Sequence, residues 1–466
     1  MRSSDSATIL ILGGGPAGAA AARLLALWGH DVRLVTRPAG ENRLAVSLPP
    51  STAKLFEALS VSDSIERAGF IRSTGNTVWW GGGDPRVERF APGAQGWQVE
   101  LARLAETMLA CAGEAGVRIE RGAAEATPGS EAFVLDCTGR TGVLARAKDL
   151  RVYHDGPRTI ALTAEWRTGP AWAVPDDTHT IVESYGDGWM WSVPVAAGVR
   201  HVAAMIDPER SELARGGSAG HIYRAEVAKT REFKRLLADA TLHAGPWGFD
   251  ASPYGARGYS GDGWLLVGDA GSFIDPLSSA GVKKALASAW LAAVVTHTCL
   301  ANPPMQPHAL AFYEARERAI AQHYAAESRA FLRDAARGHL AGFWASRSAD
   351  PGESARDDDL VKAAFERLKA AGAVRLTTSD AATIEERPFV AGHEILLGPH
   401  LVTPDAPGGI RHLHGVDLLA LLELAGGPTP VPDLYEAYAR QVSPVPLPDF
   451  LLAVSTAIAR GLVVTE

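Results

Sequence analysis

Residues 7–36 read ATILILGGGPAGAAAARLLALWGHDVRLVT, and the order of signals in them decides the fold. Ile9 to Leu12 is a short apolar run, as in a strand buried on both faces of a parallel sheet. Gly13, Gly15 and Gly18 follow in G-x-G-x-x-G spacing. Ala19 to Trp28 favours helix, with Gly29 placed to cap it, and Val32 to Val35 supplies a second apolar strand. Gly13 permits the tight turn out of the strand, Gly15 lets backbone approach a pyrophosphate, and Gly18 lets the helix pack closely on the sheet. The first N–H groups of the helix lack intrahelical acceptors and can hold an anion. The glycines alone would also suit plain strand-helix packing, but strand, glycines, helix and strand in this order read as a dinucleotide cradle. A ribose-binding acid is expected after the second strand, where this chain has Thr36 and Arg37. Arg37 reads either as a group reaching a phosphate or stacking on adenine, or as a solvated surface arginine.

A length of 466 residues suggests two or three domains with a sizeable core. The net charge of −8 gives no reason to expect nucleic acid. No apolar run reads as long enough to span a bilayer, and the one before Gly13 is too short for a signal peptide. Cys111, Cys137 and Cys299 are too widely spaced for a disulfide framework or a zinc site. The expectation is a cytoplasmic protein without membrane contact.

Further along, Ser47, Pro49 and Pro50 turn the chain into a helix from about Ser51. Phe70 to Gly83 reads as strand or hairpin. Asn76, Trp79 and Trp80 stand out there, as a buried aromatic cluster or as a wall for a planar ligand. Val99 to Ala112 reads as helix and Val117 to Glu120 as strand. Arg103 on that helix is either solvated or turned to a phosphate. Ala132 to Arg146 is a strand ending in a second glycine turn, Asp136 to Arg140. In it Cys137 reads as a buried apolar residue.

From residue 151 to 256 four strand-like runs, Thr159–Trp166, Thr180–Tyr185, Trp189–Val195 and His201–Ile206, suggest an antiparallel sheet. Trp189 and Trp191 share one face of it, and a charged helix follows, His221 to Leu237. His154, Glu183 and His201 lie in this region, where structural roles are favoured, and no catalytic base is named. Trp264 to Val267 is another buried strand, ending in Gly268, Asp269 and Ala270. Asp275, Pro276 and Gly281 follow before a helix. An acid at a strand end, as in Gly268-Asp269-Ala270, can hydrogen-bond sugar hydroxyls. Long helices fill Pro307 to Arg337. The expected division is a dinucleotide-binding domain with helical extension at 1–150 and 257–345, a substrate domain at 151–256, a linker at 346–359 and a small C-terminal domain at 360–466. In the last, strand-like runs at Glu394–Leu397 and near Leu401 precede helices at Gly415–Leu424, Pro432–Tyr438 and Leu447–Ala459. His412 and His414 do not read as a metal site.

GGGPAG, DCTGR and GDAGSFIDP are similar to the three cofactor motifs of FAD-dependent monooxygenases with the para-hydroxybenzoate hydroxylase fold. With GWMWSVP and VSLPPS they resemble the flavin-dependent halogenase-like group, over roughly the first three-quarters of the chain. The fold implied is α/β: a Rossmann-like FAD domain, an interleaved antiparallel-sheet substrate domain and a small winged-helix-like α+β domain. The resemblance implies that Gly13, Gly15, Pro16, Ala17 and Gly18 hold the pyrophosphate. It implies that Arg37, Arg103, Gly268 and Asp269 lie at FAD and that Pro276, Gly281 and Val282 lie against the isoalloxazine. Trp189 and Trp191 match the halogenase tryptophan pair.

Halogenases carry a catalytic lysine near Phe70–Trp80, where this chain has Asn76 and no lysine from Leu55 to Leu101. A Thr-Gly pair of the halide site is Ala280-Gly281 here. A carboxamide has neither the charge nor the amine for that chemistry, so oxygenation through a flavin C4a-hydroperoxide is expected over halogenation. The pattern Gly75, Asn76, Val78, Trp79, Gly81 looks like flavoproteins that mature tryptophylquinone cofactors. These oxidise a tryptophan in a partner polypeptide, such as the small subunit of quinohemoprotein amine dehydrogenase with its cysteine tryptophylquinone. The pocket candidates are then Asn76, Trp79, Trp189 and Trp191. Electrons would come from NAD(P)H or a separate flavin reductase. The alternatives are halogenation of an aromatic substrate, a non-catalytic scaffold presenting a peptide to another modifying enzyme, and an isoprenoid or alkene reductase. The C-terminal domain reads either as a site of peptide capture at a sheet edge or as a winged-helix packing domain without a ligand.

Overall fold

The computed structural model describes residues 8–37, 44–124, 131–154, 156–169, 172–339, 342–348 and 354–465, with side chains of 214–215 and 354–358 left aside. The chain divides into two compact units, Met1–Ala349 and Asp350–Glu466.

The first unit is built on β1 (Ile9–Leu12), α1 (Pro16–Leu27) and β2 (Val32–Thr36). The helix begins three residues earlier than Ala19, because Pro16 has the right φ for a first helical position and lacks only an N–H that would be unpaired anyway. At its other end Gly29 takes φ +92° and closes the last turn through Gly29 N–H to Ala26 O and His30 N–H to Leu25 O. The sheet runs in the order Ser260–Gly261, Trp264–Leu266, Phe133–Asp136, β1, β2, Arg118–Arg121. All neighbours are parallel except the short Ser260–Gly261 edge. The register pairs Leu12 with Val35 and Asp136, and Asp136 with Leu266. Three strands from distant parts of the chain therefore end side by side, and all three glycine turns open on one edge, where open α/β sheets bind ligands.

A seven-stranded sheet forms the second layer, in the order Thr241–Asp250, Ile160–Arg167, Val199–Ile206, Gly188–Ala196, Thr180–Tyr185, Gly75–Trp79, Arg86–Arg89. It is antiparallel except where Gly75–Trp79 joins Thr180–Tyr185 in parallel, so it also draws on residues before 150. Gly96–Glu100, expected to lead into helix, is instead a strand between Ala45–Leu48 and Ile71–Ser73. Helix starts at Leu101. The expected single helix His221–Leu237 is two, Ala219–Lys229 and Glu232–Leu236, parted at Thr230, which is extended.

One described helix, Gly281–Ala301, is long and apolar enough to cross a membrane, contrary to the sequence expectation. It is 67% buried over its apolar window and packs against α1, as the core helix of a folded domain does. The helices expected over Pro307 to Arg337 are one, Gln306–Ala336.

In the second unit, Thr383–Ala391 pairs with Glu394–Thr403, which pairs with Ala406–Ile410. The two runs read separately around Leu397 and Leu401 are one strand, with one partner upstream and one downstream. Helices Leu418–Leu424, Val431–Gln441 and Leu447–Ala459 enclose a core with Tyr438 and Phe450. Of the segment read as linker, residues 349–353 lie outside the described residues, and helix Ser354–Ala370 begins inside it.

Candidate active site

At the end of β1 the three glycines are not equivalent. A Cβ at Gly13, whose φ is +98°, would stand 2.4 Å from Cys137 O, and one at Gly18 would stand 1.9 Å from Gly13 O. Both positions are closed by backbone. A Cβ at Gly15 would meet nothing within 4 Å. Gly15 is the cap residue of α1 without any side-chain cap, and Pro16 has no N–H. The N–H groups of Ala17 and Gly18, in the first turn, have no intrahelical acceptor, and the space beside Gly15 is open, as a pyrophosphate site requires.

The second turn serves structure. Asp136 is fully buried and accepts from Thr138 N (3.0 Å), Thr138 Oγ1 (2.6 Å), Leu144 N (2.7 Å) and Ala145 N (3.3 Å). It caps the short helix Val143–Ala147. Cys137 is buried, and burial pushes its thiol well up.

Gly268, at φ +61°, brings the third turn against α1: a Cβ there would lie 3.6 Å from that of Ala17. Asp269 follows. Burial pushes its carboxyl up, opposed by Lys284, Arg140 and Arg151. Arg151 stacks over Tyr254, 4.1 Å from the ring centroid, and Tyr254 Oη donates to Asp269 O at 2.6 Å. Around this turn Asp269 Oδ1, Ser272 Oγ and Arg151 Nε and Nη2 are buried without hydrogen-bond partners. Each such atom costs roughly 1–3 kcal/mol unless something completes it. Phosphates and sugar hydroxyls are the donors and acceptors this set lacks, so the residues present fit FAD. Pro276 opens a single turn capped by Asp275 Oδ1, which accepts from Leu277 N at 3.0 Å. Burial pushes Asp275 up to about 6. A Cβ at Gly281, the first residue of its helix, would meet nothing within 4 Å, and Val282 beside it is half-buried. Arg37 is exposed at the end of β2. Arg103 is also exposed; its guanidinium donates to Ala68 O and stands 4.9 Å from the centroid of Phe70.

Leu277 packs into an aromatic cluster on one face of the seven-stranded sheet, with Trp80, Trp189, Trp191, Phe343 and Trp344. Trp189 and Trp191 meet at 5.4 Å between ring centroids, Trp80 and Trp189 at 6.4 Å, and Trp80 and Trp344 at 5.3 Å. The alternation of Gly75–Trp79 puts Asn76 and Val78 on this face. Trp79 packs on the opposite face, against the cluster of Trp166 and Tyr223. Trp79 therefore lies away from Trp189 and Trp191, and Trp80, one position on, is the residue that joins them.

The sequence also gave no sign of Trp344. It is fully buried and donates from Nε1 to Tyr185 O at 2.6 Å, with His339 stacked on it at 5.6 Å. His339 Nε2 lies 3.0 Å from Ser184 Oγ, and burial lowers its imidazole. Both residues belong to a segment adjoining the expected linker, whose composition hid them.

Neither acid-base candidate from the sheet reaches this face in a free state. Glu183 accepts from the backbone N–H groups of Arg231 (2.7 Å), Glu232 (3.0 Å) and Phe233 (2.9 Å), capping a helix. His201 is buried beside Glu165, 3.8 Å away. His154 is exposed.

Residues 6–150 match the family described as FAD binding domain. A tryptophan 2-halogenase of Chondromyces crocatus is 29% identical over 344 residues, 67% of this chain and 65% of the relative. The chain thus spans just under two-thirds of that relative's length. Among solved structures, the flavin-dependent halogenase CmlS superposes with a TM-score of 0.82 at 20% identity, covering 99% of this chain and 96% of CmlS. QhpG, a peptidyl tryptophan dihydroxylase essential for tryptophylquinone cofactor biogenesis, superposes with a TM-score of 0.65 at 24% identity, covering 94% and 96%. The match at residues 6–150 supports FAD binding there, and the superpositions show that the chain shares its fold with these two structures.

Proposed function

We propose that the chain is an FAD-dependent monooxygenase that oxygenates an indole ring, with a tryptophan side chain of a partner polypeptide as the substrate. The observation that carries this reading is the aromatic face beside the flavin turn: it holds Asn76 where the resemblance would place a halogenase lysine. The buried Lys284 is no substitute, since its ammonium is bound to the carbonyls of Gly268 and Ser272.

Bound and reduced FAD would supply the activated oxygen. The chain's own residues do the rest. Ala17 and Gly18 N–H groups receive the pyrophosphate, and Asp269 receives sugar hydroxyls. The N–H groups at the start of the Gly281 helix favour negative charge on the ring. Trp80 and Trp191, both half-buried, present ring faces and edges that orient a planar substrate and exclude water, with the buried Trp189 packed between them. The electron donor in this reading is NAD(P)H or a separate reductase. The setting is cytoplasmic, in keeping with three free buried cysteines.

The second reading is halogenation of an aromatic substrate, favoured by the names of the sequence relatives. Incubating enzyme, FAD, a reductant and chloride with a tryptophan-bearing peptide, followed by mass spectrometry, separates the two. Gain of oxygen supports the proposal, and gain of chlorine overturns it.

A further inference from the structure

Lys284 is the fourth residue of the Gly281 helix, and it is 2% exposed. A cation there is doubly unfavourable. It is withdrawn from water, and it sits in the first turn of a helix, where the macrodipole is already positive. The surroundings must therefore compensate, and they do so through one short segment. Nζ donates to Gly268 O at 3.2 Å and to Ser272 O, and it stands 3.6 Å from Asp269 Oδ1. Two of the ammonium's three protons are thus held by carbonyls, and Asp269 Oδ1 lies at ion-pair distance. One side chain thus ties both ends of a five-residue turn and the acid within it.

We propose that Lys284 is a positioning residue for the flavin: its buried ammonium fixes the Gly268–Ser272 turn and pairs with Asp269, so that Asp269 meets the cofactor's sugar hydroxyls as a carboxylate. This rests on the FAD site described above. The charges facing Asp269 are Lys284 from the Gly281 helix, Arg140 from the turn after Phe133–Asp136, and Arg151 from the strand Arg151–Tyr153. The Tyr254 hydroxyl donates to its carbonyl. Lys284 is faced in addition by Glu317 of the Gln306 helix, flanked by Glu314 and Arg316, and burial raises Glu317 to about 7. Burial thus disfavours the charged form of Glu317 and weakens its hold on the ammonium relative to Asp269.

The test is FAD titration of the wild-type, Lys284→Met and Lys284→Gln apoproteins across about pH 5 to 8, with a melting curve for each. Lys284→Met weakens FAD binding about tenfold or more and shifts the acid limb of the affinity profile to higher pH, because Asp269 without its cation takes up a proton more readily. Lys284→Gln keeps N–H donors but no charge. It recovers part of the affinity while its acid limb stays shifted. A folded Lys284→Met protein with wild-type affinity and an unshifted limb overturns the proposal. If Lys284→Met does not fold, an unshifted limb in Lys284→Gln overturns it alone. Wild-type protein that takes up no FAD removes the cofactor reading instead.

Discussion

Gly15 and Gly18 lie three residues apart in one motif, yet the structure predicts opposite outcomes for the same substitution. In Gly18→Ala the new methyl would stand 1.9 Å from Gly13 O and 3.1 Å from Cys137 Cβ. The first is backbone and cannot swing away, so the β1–α1 turn must open. Overpacking of this kind costs roughly 1–3 kcal/mol, and the apoprotein loses that stability before any cofactor is added. In Gly15→Ala the methyl meets nothing, and the backbone at φ −70°, ψ −177° suits alanine. Restricting the unfolded chain stabilises by about 0.4–1 kcal/mol, while alanine is the poorer cap by a similar amount, so apoprotein stability changes by less than about 0.5 kcal/mol. The space the methyl fills is the space left for the pyrophosphate. FAD binding should weaken at least tenfold, or about 1.4 kcal/mol. Urea unfolding of the apoproteins and fluorescence titration with FAD read the two quantities separately. Gly15→Ala binding FAD like wild type, or Gly18→Ala as stable as wild type, would refute the reasoning.

Three further outcomes follow from buried groups. Burial raises Glu317 from 4.5 to about 7, so the native state holds its proton more tightly than the unfolded chain. The stability it contributes is complete below about pH 4.5 and is lost as pH climbs to about 7, roughly 3 kcal/mol in all. Urea midpoints measured across that window should fall in wild type and flatten in Glu317→Gln. Glu183→Ala should cost about 2 kcal/mol through the lost helix cap with turnover per folded molecule retained; intact stability with lost turnover would make Glu183 a catalytic base. Arg347→Met removes the closer of two arginines from the buried Asp207, at 3.1 Å, and leaves the exposed Arg210 at 3.7 Å. Denaturation should show a loss of about 1.5–3 kcal/mol, part of which the added change Asp207→Asn restores.

The cofactor edge was legible because its signals are local. Apolar strand, glycines and helix lie within thirty residues at 7–36, and the boundaries of β1 matched to the residue. The same holds for Leu447–Ala459, where spacing alone gave the observed helix. What failed depended on distant partners. Gly96–Glu100 carries no strand signal of its own that outweighs the following helix, and it is fixed by pairing with Ala45–Leu48 and Ile71–Ser73. The choice between Trp79 and Trp80 turns on a one-residue register, which flips a side chain to the other face. It is set by the parallel pairing of Val78 with Val182. Trp344 and Lys284 were invisible for a related reason. A tryptophan beside a linker and a lysine in an apolar helix acquire meaning only when Tyr185 O and the Gly268–Ser272 turn fold against them.

The central claim is that this site passes oxygen, rather than halogen, to an aromatic ring. The most direct measurement supplies enzyme, FAD and a reductant with isotopically labelled dioxygen, chloride and a tryptophan-bearing polypeptide, then weighs the polypeptide. The account predicts labelled oxygen on the tryptophan and none of the halide. Chlorinated product free of label would contradict it.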